Sequence, residues 1–261
     1  MTTSHILATT PPVGDRAPTP GYEILVASTP AEVRDAQRLR HEVFAGELGA
    51  TLHTTTVGLD IDEFDQLCDH LVVRETTTGE TVGTYRMLPP HRASGRLYAD
   101  GEFDLSALAP LRDVIVETGR SCVHPDHRSG AVINLMWTGI ARYLHLHGHR
   151  WLAGCASVPL ADGGQQAAAV WQVAREHHLS PPRLRVRPHV PYQFPAEQAP
   201  ASASRSSVPP LLRGYLRLGA WICGAPAHDA DFAVADFFVL LSLDRVDARY
   251  LKHFLGTGVQ S

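Results

Sequence analysis

Residues 114–131 carry the sequence VIVETGRSCVHPDHRSGA, and this stretch decides the fold. It begins with β-branched residues, is interrupted by Glu117, Gly119 and Arg120, and becomes apolar again before a His-Pro-Asp turn. A Ser-Gly-Ala loop then leads into the apolar segment Val132–Leu146. The pattern predicts a buried strand, a turn and the entry to a helix.

Two ionisable residues, Glu117 and Arg120, lie within this predicted strand. A charged side chain in a buried strand is costly unless it is paired or functional. Gly119 between them would suit a β-bulge, which re-aims neighbouring side chains. We interpret Glu117 as a catalytic base whose pKa is raised toward neutrality by desolvation, with Arg120 holding its carboxylate or lowering that pKa again. The alternative is that the two residues form only a structural ion pair.

Length and composition indicate a globular protein. The chain has 261 residues, 44% hydrophobic and 19% charged, which is enough to bury a full core. We find no apolar run of about 18 residues, the length needed to span a bilayer. The N-terminus lacks a basic region followed by an apolar core, so we expect a cytoplasmic protein without a secretory signal. The four cysteines show no CxxC spacing and are expected to be reduced.

The charge is unevenly spread along the chain. The net charge of −4 argues against a nucleic-acid partner, but residues 181–220 contain six arginines and the single acid Glu197, a local charge of +5. This segment indicates an acidic protein partner or a peripheral contact with an anionic membrane surface, and a solvated surface is the alternative. The fifteen histidines include no HExxH pattern, so we predict no metal site.

Periodicity elsewhere predicts an α/β (α+β) protein. Because a strand, a helix and a strand follow one another after residue 114, we expect the two strands to be neighbours in a mixed sheet. Residues 1–20 are predicted to be a flexible tail and residues 21–261 a single domain, with an exposed loop at 195–209. The predicted elements are a strand at Tyr22–Ala27, a helix from a Thr29 cap through Phe44, a hairpin of His70–Arg74 and Thr81–Leu88, a helix at Val132–Leu146, a strand at Trp151–Val158, helices at Gln165–His178 and Leu211–Trp221, and a strand at Phe237–Leu243.

Four short motifs occur in a fixed order. They are Arg40-x-x-x-Phe44, Asp62-x-x-Asp65, Gly83-x-x-Arg86 and Glu117-x-x-Arg120. This order resembles the acyl-homoserine lactone synthases and the long-chain N-acyl amino acid synthases, both built on the GCN5-related N-acetyltransferase (GNAT) fold. The resemblance implies a mixed, mostly antiparallel twisted sheet flanked by helices.

A wider resemblance, over residues 22–255, is to the ornithine lipid synthases that N-acylate the α-amine of ornithine. It is carried by the four motifs and by segments such as Cys68–Leu71, Gly119–Pro125, Gly154–Ser157 and Pro226–Asp236. Ala50 stands where the lactone synthases carry a tryptophan, which weakens the lactone-forming interpretation and leaves amine acylation intact.

The resemblance implies an acyl donor and no permanently bound cofactor. The donor would be the phosphopantetheine thioester of an acyl carrier protein, or acyl-coenzyme A, and the chain would be a (3-hydroxy)acyl group. Backbone N–H groups near Ser121, Cys122 and Val123 are the expected oxyanion donors. The loop Arg128-Ser129-Gly130-Ala131 precedes a helix and would bind the phosphate. Its single glycine favours one phosphate, as on a carrier protein, over the pyrophosphate of coenzyme A.

The acceptor would be a diamino acid such as ornithine. Its carboxylate calls for an arginine, for which Arg86 or Arg40 is suitable, and Phe44 is grouped with them on the substrate side. Its side-chain ammonium calls for an acid, and four candidates are not ranked by the sequence: Asp62, Asp65, Asp231 and Asp236. The acidic segment containing the first two could instead serve the neighbouring arginines.

Three functions follow, and they need different tests. The leading one is an acyltransferase that moves a (3-hydroxy)acyl chain from acyl carrier protein to the α-amine of L-ornithine, forming lyso-ornithine lipid, at the inner membrane face or in the cytoplasm. The second keeps the fold and changes the substrates: an N-acyl amino acid or lactone synthase, or a coenzyme A-dependent N-acetyltransferase. The third is a non-catalytic module that binds an acyl carrier or a lipid.

Overall fold

The computed structural model describes residues 5–10, 20–195 and 208–255, and all structural statements below concern these residues. Their α-helices are α1 (Pro30–His41), α2 (Pro90–Ala93), α3 (Gly130–Leu146), α4 (Gln165–Val173), α5 (Pro210–Arg217) and α6 (Ala248–Leu255). Their strands are β1 (His5–Thr10), β2 (Tyr22–Val26), β3 (Asp69–Glu75), β4 (Thr81–Leu88), β5 (Phe103–Asp104), β6 (Ile115–Val123), β7 (Trp151–Pro159), β8 (Arg187–Pro188), β9 (Trp221–Ile222), β10 (Ala227–Asp229) and β11 (Val234–Ser242).

The chain divides into two compact units, each built from separate stretches of sequence. Unit 1 comprises Met1–Arg92, Thr118–His149 and Ala248–Ser261. Unit 2 comprises Ala93–Glu117 and Arg150–Asp247. Strand β6 therefore gives residues 115–117 to unit 2 and residues 118–123 to unit 1.

Unit 1 is an antiparallel sheet covered by helices. The strands lie in the order β1-β2-β3-β4, followed by the second part of β6. Side chains alternate between the two faces of a strand, so the fully buried neighbours Ile24 and Leu25 point in opposite directions. Leu25 packs with Ala36 of α1, whereas Ile24 lies against Gly139 of α3, where an added Cβ would stand 2.4 Å from Ile24 Cδ1. The sheet is thus packed between α1 and α3.

Helix α1 begins where the sequence predicts it. The Thr29 hydroxyl accepts a hydrogen bond from the Glu32 N–H at 3.3 Å, and a Glu32 carboxylate oxygen accepts one from the Thr29 N–H at 3.1 Å. This reciprocal capping box, with Pro30 at the first helical position, fixes the start of the helix. A turn of π-helix at Glu42–Glu47 follows α1, so Phe44 lies in that turn.

Unit 2 is built around β11, which is buried at all nine positions. β11 pairs antiparallel with β7, β9 and β10. The first residues of β6 pair with β7 in parallel, Glu117 opposite Ala153, which confirms the predicted strand-helix-strand arrangement. Phe103 of β5 packs on Phe238 of β11, with ring centroids 5.8 Å apart. The prediction of a mixed, mostly antiparallel sheet flanked by helices is confirmed.

Two sequence predictions need correction. Residues 5–10, assigned to a flexible tail, form β1 and pair with β2, while residues 1–4 and 11–19 lie outside the described residues. The helix predicted to run through Trp221 ends at Arg217, because Gly219 takes a left-handed conformation at φ 89° and Trp221 then enters β9. Of the loop predicted at 195–209, residues 196–207 lie outside the described residues, and Val208 is buried.

In the described ranges, none of the helices combines the length and apolar character needed to cross a membrane.

Candidate active site

Three arginines and three aspartates of unit 1 form a buried network. The arginines come from α1, β4 and β6, and the aspartates from the segment before β3: Arg40, Arg86, Arg120, Asp60, Asp62 and Asp65. The network therefore brings together residues of all four sequence motifs.

Arg40 lies at the centre of this network and is 0% exposed. Its Nε donates to Asp60 Oδ2 at 2.8 Å, and its Nη2 donates to both carboxylate oxygens of Asp65 at 2.9 Å. Its Nη1 has no hydrogen-bond partner among the described residues. A buried guanidinium is tolerated when its charge is paired, and Asp60 and Asp65 provide the opposite charge.

Arg86 and Asp62 form the second part of the network. Arg86 Nη1 contacts Asp62 Oδ1 at 2.6 Å and Asp65 Oδ1 at 3.4 Å. Burial alone would lower the pKa of Arg86, but the negative charge of Asp62 raises it above its ordinary value. Burial would likewise raise the pKa of Asp62, and the charge and hydrogen bond of Arg86 hold it below its ordinary value. Both groups are therefore ionised at neutral pH.

Arg120 completes the network from β6. Its Nε lies 3.3 Å from Asp60 Oδ2 and its Nη2 lies 3.4 Å from Asp62 Oδ2, while its guanidinium sits 6.0 Å from the centroid of the Phe44 ring. Arg120 is also a left-handed residue within β6, at φ 51°, next to Gly119, for which the sequence suggested a β-bulge. A non-glycine residue in this conformation is strained by about 1–3 kcal/mol and persists only where its surroundings hold it.

Glu117 is held in unit 2 and is only 4% exposed. Its Oε2 accepts a hydrogen bond from the Tyr98 N–H at 2.5 Å, and its Oε1 accepts one from the Ala99 N–H at 2.9 Å. These N–H groups open the short 3₁₀-helix Tyr98–Gly101. Two backbone N–H groups therefore hold the Glu117 carboxyl group in a fixed position.

Unit 2 also contains a carboxyl cluster that the sequence did not reveal. The carboxyl oxygens of Glu102, Asp229 and Asp236 lie within 4.8 Å of one another, and Ser157 Oγ donates to Asp236 Oδ1 at 2.6 Å. Glu102 follows Asp100 and Gly101 in what reads as a polar loop, so composition gave no signal of burial. Packing of the next residue, Phe103, against β11 carries Glu102 inside.

The half-buried Glu102 has different surroundings from the buried Glu117. Burial, followed by the charges of Asp236 and Asp229, raises the pKa of Glu102 to about 9. Its Oε2 has no hydrogen-bond partner among the described residues. The cluster is close enough to hold a metal ion.

The remaining predicted acids differ in accessibility. Asp62 is the more exposed of the network acids, at 20% of its side chain, whereas Asp65 is at 6%. Asp236 is buried within the carboxyl cluster, and Asp231 is exposed in the turn before β11. Asp62 and Asp65 bind the neighbouring arginines, which is one of the two interpretations that the sequence left open.

The predicted donor loop leads from β6 into α3. The Cys122 side chain is buried, and burial raises the pKa of its thiol to about 12, so it is not a nucleophile at neutral pH. Arg128 Nε donates to the Val123 carbonyl at 3.1 Å. Ser129 occupies the N-cap position of α3 without a side-chain hydrogen bond, and Gly130 is the first helical residue. The first N–H groups of α3 are therefore not capped by Ser129.

We predict that neutralising one aspartate of the buried Arg–Asp network lowers the free energy of unfolding substantially. We expect Asp60→Asn to lower the free energy of unfolding by about 3 kcal/mol, because Arg40 keeps its charge in a buried place. Urea unfolding measures this. The matched control is Asp35→Asn, which removes an exposed ion pair with Arg38 at 2.7 Å and should cost under about 1 kcal/mol. Equal costs for the two variants would show that the buried network does not carry stability.

Glu102 predicts a pH dependence of stability. Between its ordinary pKa of 4.5 and its folded value of about 9, the folded protein keeps a proton that the unfolded chain releases. Stability conferred by Glu102 should therefore fall as pH rises through this range, by at most about 1.4 kcal/mol per pH unit. Glu102→Gln should lose this dependence, while the exposed Glu176→Gln should keep it. Melting curves that run parallel from pH 5 to 9 for Glu102→Gln and wild type would contradict the assignment.

Comparison with known proteins identifies the family. A model described as an acetyltransferase (GNAT) domain matches residues 39–138. The L-ornithine N(alpha)-acyltransferase of Rhodobacter capsulatus is 35% identical over 249 residues, which cover 89% of this chain and 94% of that protein. The protein of the same name from Brucella abortus is 34% identical and covers 89% of this chain and 88% of that protein.

A solved structure agrees with these relatives on the fold. The crystal structure of the AHL synthase LasI matches with a TM-score of 0.52 and 14% identity, and the match covers 93% of this chain and 98% of that one. The resemblance inferred from the four motifs is confirmed. The chain is an N-acyltransferase with the GNAT fold, and it belongs to the L-ornithine N(alpha)-acyltransferase family.

Proposed function

We propose that this enzyme transfers a (3-hydroxy)acyl chain from acyl carrier protein to the α-amine of L-ornithine, forming lyso-ornithine lipid. The observation that carries the proposal is the near full-length similarity to proteins named for ornithine Nα-acylation. The hydroxylated chain and the carrier protein come from the resemblance of the motifs and from the charge of the chain.

The proposed reaction forms an amide and releases a thiol. The base takes one proton from the ammonium, the neutral amine nitrogen attacks the thioester carbonyl, the C–N bond forms and the C–S bond breaks. The second proton leaves the nitrogen and protonates the thiolate, so the reaction releases one proton to solvent overall. We propose Glu117 as the base, because its carboxyl group lies on β6 just before the interruption at Arg120 and two backbone N–H groups fix its position. A carboxylate offers about four acceptor positions, so these bonds are compatible with taking a proton directly or through a water.

We propose that the backbone after Arg120 stabilises the oxyanion. The left-handed conformation of Arg120 interrupts β6 immediately before Ser121, Cys122 and Val123. An interrupted strand can turn its N–H groups away from its neighbour and toward a ligand. The ion pairs of Arg120 with Asp60 and Asp62 hold that conformation, so we assign Arg120 a positioning role.

The acceptor is proposed to bind through its two charged ends. Arg86 and Arg40 remain the proposed partners of the ornithine carboxylate, and Arg40 Nη1 supports this because it has no hydrogen-bond partner in the described residues. For the side-chain ammonium, exposure favours Asp62 and Asp231 over the buried Asp65 and Asp236. We place Phe44 beside this site, since its ring faces Arg120.

The proposed carrier-protein surface lies on unit 2. Arg183, Arg185 and Arg187 are exposed and alternate with the buried Leu184 and Val186. This alternation presents three positive charges on one side of the segment. An acidic carrier protein would be attracted by such a surface. Arg205 of the same basic segment lies outside the described residues.

Product analysis tests the proposed function. The purified protein would be incubated with 3-hydroxyacyl carrier protein and ornithine, and products identified by mass spectrometry. Acylated ornithine supports the proposal. Reaction only with acetyl-coenzyme A points to an N-acetyltransferase, and absence of transfer to any amine overturns the catalytic assignment.

The proposed base predicts a rate effect. Glu117→Gln should lower kcat by about 100-fold or more with little change in either KM, because the group that takes the proton is removed. Gln also replaces one acceptor facing a backbone N–H, so thermal melting must show that the variant is folded. Near-normal turnover by a folded Glu117→Gln would refute the role of Glu117.

The proposed docking surface predicts a donor-specific effect. The triple variant Arg183→Ala, Arg185→Ala, Arg187→Ala should raise the KM for acyl carrier protein by about tenfold, since each lost charge contact is worth up to about 1 kcal/mol. The salt dependence of that KM should weaken. The KM for a small acyl-pantetheine donor serves as the control. Equal losses with both donors would contradict docking at this surface.

A further inference from the structure

The guanidinium of Arg128 is engaged by an acid on the predicted donor loop. Its Nη1 donates to Glu47 Oε1 at 2.7 Å and its Nη2 donates to Glu47 Oε2 at 2.5 Å. The ion pair is bidentate, and a guanidinium can bind a phosphate in the same geometry. Glu47 therefore holds the part of Arg128 that an anionic donor would need.

Glu47 is placed where it can move away. It is the last residue of the π-helical turn Glu42–Glu47, and Gly49, two residues later, has a left-handed φ of 71°. Both members of the pair are exposed, at 43% of the Arg128 side chain and 34% of the Glu47 side chain. Exposed ion pairs contribute little to stability, so exchanging this one is inexpensive.

The carboxylate of Glu47 is ionised at neutral pH. The hydrogen bond from Arg128 is the main cause that lowers the pKa of Glu47; burial opposes it, and the charges of Arg128 and His124 lower the pKa further. Glu47 thus neutralises Arg128 and presents a negative charge that repels a second anion.

We propose that Glu47 weakens binding of the acyl donor by competing with the donor's phosphate for Arg128. On donor binding the phosphate displaces the Glu47 carboxylate from the guanidinium. This inference rests on the proposed function, because it takes the loop of Arg128 as the phosphate site.

The contacts of Arg128 agree better with a Glu47 that competes with the phosphate than with a Glu47 that positions Arg128. Arg128 has a second anchor, since its Nε donates to the Val123 carbonyl at 3.1 Å. Its orientation is therefore held when Glu47 leaves. If Glu47 were needed to position Arg128, its removal would weaken phosphate binding. Competition predicts the opposite change, tighter phosphate binding.

Direct binding of small donor fragments tests the proposal without ornithine. Calorimetry would compare 4′-phosphopantetheine with pantetheine, which lacks the phosphate. Glu47→Gln should bind 4′-phosphopantetheine about two- to fivefold more tightly than wild type, the range of one exposed ion pair, and should bind pantetheine unchanged. Glu42→Gln is the matched control, because it removes an exposed charge from the same helical turn.

A double variant isolates the interaction. In the Arg128→Ala background, Glu47→Gln should have no effect on 4′-phosphopantetheine affinity, since the guanidinium for which Glu47 and the phosphate compete is absent. Tighter binding that persists in this background would overturn the competition, as would weaker binding by Glu47→Gln itself.

The same measurements separate this inference from the proposed function. If Arg128→Ala binds 4′-phosphopantetheine as well as wild type does, the assignment of the donor site is refuted, and the proposed competition is refuted as well. If Arg128→Ala weakens binding and Glu47→Gln does not strengthen it, only the competition is refuted. Ornithine acylation is decided independently by product analysis.

Discussion

The burial of Arg40 is the constraint on which unit 1 depends. A guanidinium that is 0% exposed must be compensated, and Asp60 and Asp65 do so at 2.8 and 2.9 Å. The same acids then reach Arg86 and Arg120, so one electrostatic requirement joins α1, the segment before β3, β4 and β6. Removing a single charge would leave an opposite charge buried, which explains why these residue types occur together in the chain.

Two glutamates in unit 2, the buried Glu117 and the half-buried Glu102, have different surroundings. Glu117 accepts hydrogen bonds from two backbone N–H groups. Glu102 faces Asp229 and Asp236 and retains its proton. The short helix Tyr98–Gly101 lies directly between their contacts, since its first N–H groups bind Glu117 and Glu102 follows its last residue.

The donor side of unit 1 is governed by a weaker and exchangeable interaction. The Arg128–Glu47 pair is exposed, in contrast to the network around Arg40. A fixed network suits groups that hold the backbone, such as Arg120 in its left-handed conformation. An exposed ion pair can exchange its partners at little cost in stability.

Several local elements, and the resemblance to the family, could be recognised from the sequence alone. The capping box at Thr29, the hairpin of β3 and β4, and the order of the four motifs depend on neighbouring residues, so spacing predicted them. Features that depend on partners far apart in the sequence became visible only in the tertiary structure. Residues 5–10 form a strand by pairing with β2, Phe103 packs on β11 beside Glu102, and Arg120 has a left-handed conformation and ion pairs with Asp60 and Asp62. These contacts join residues that are far apart in the sequence, so local patterns did not predict them.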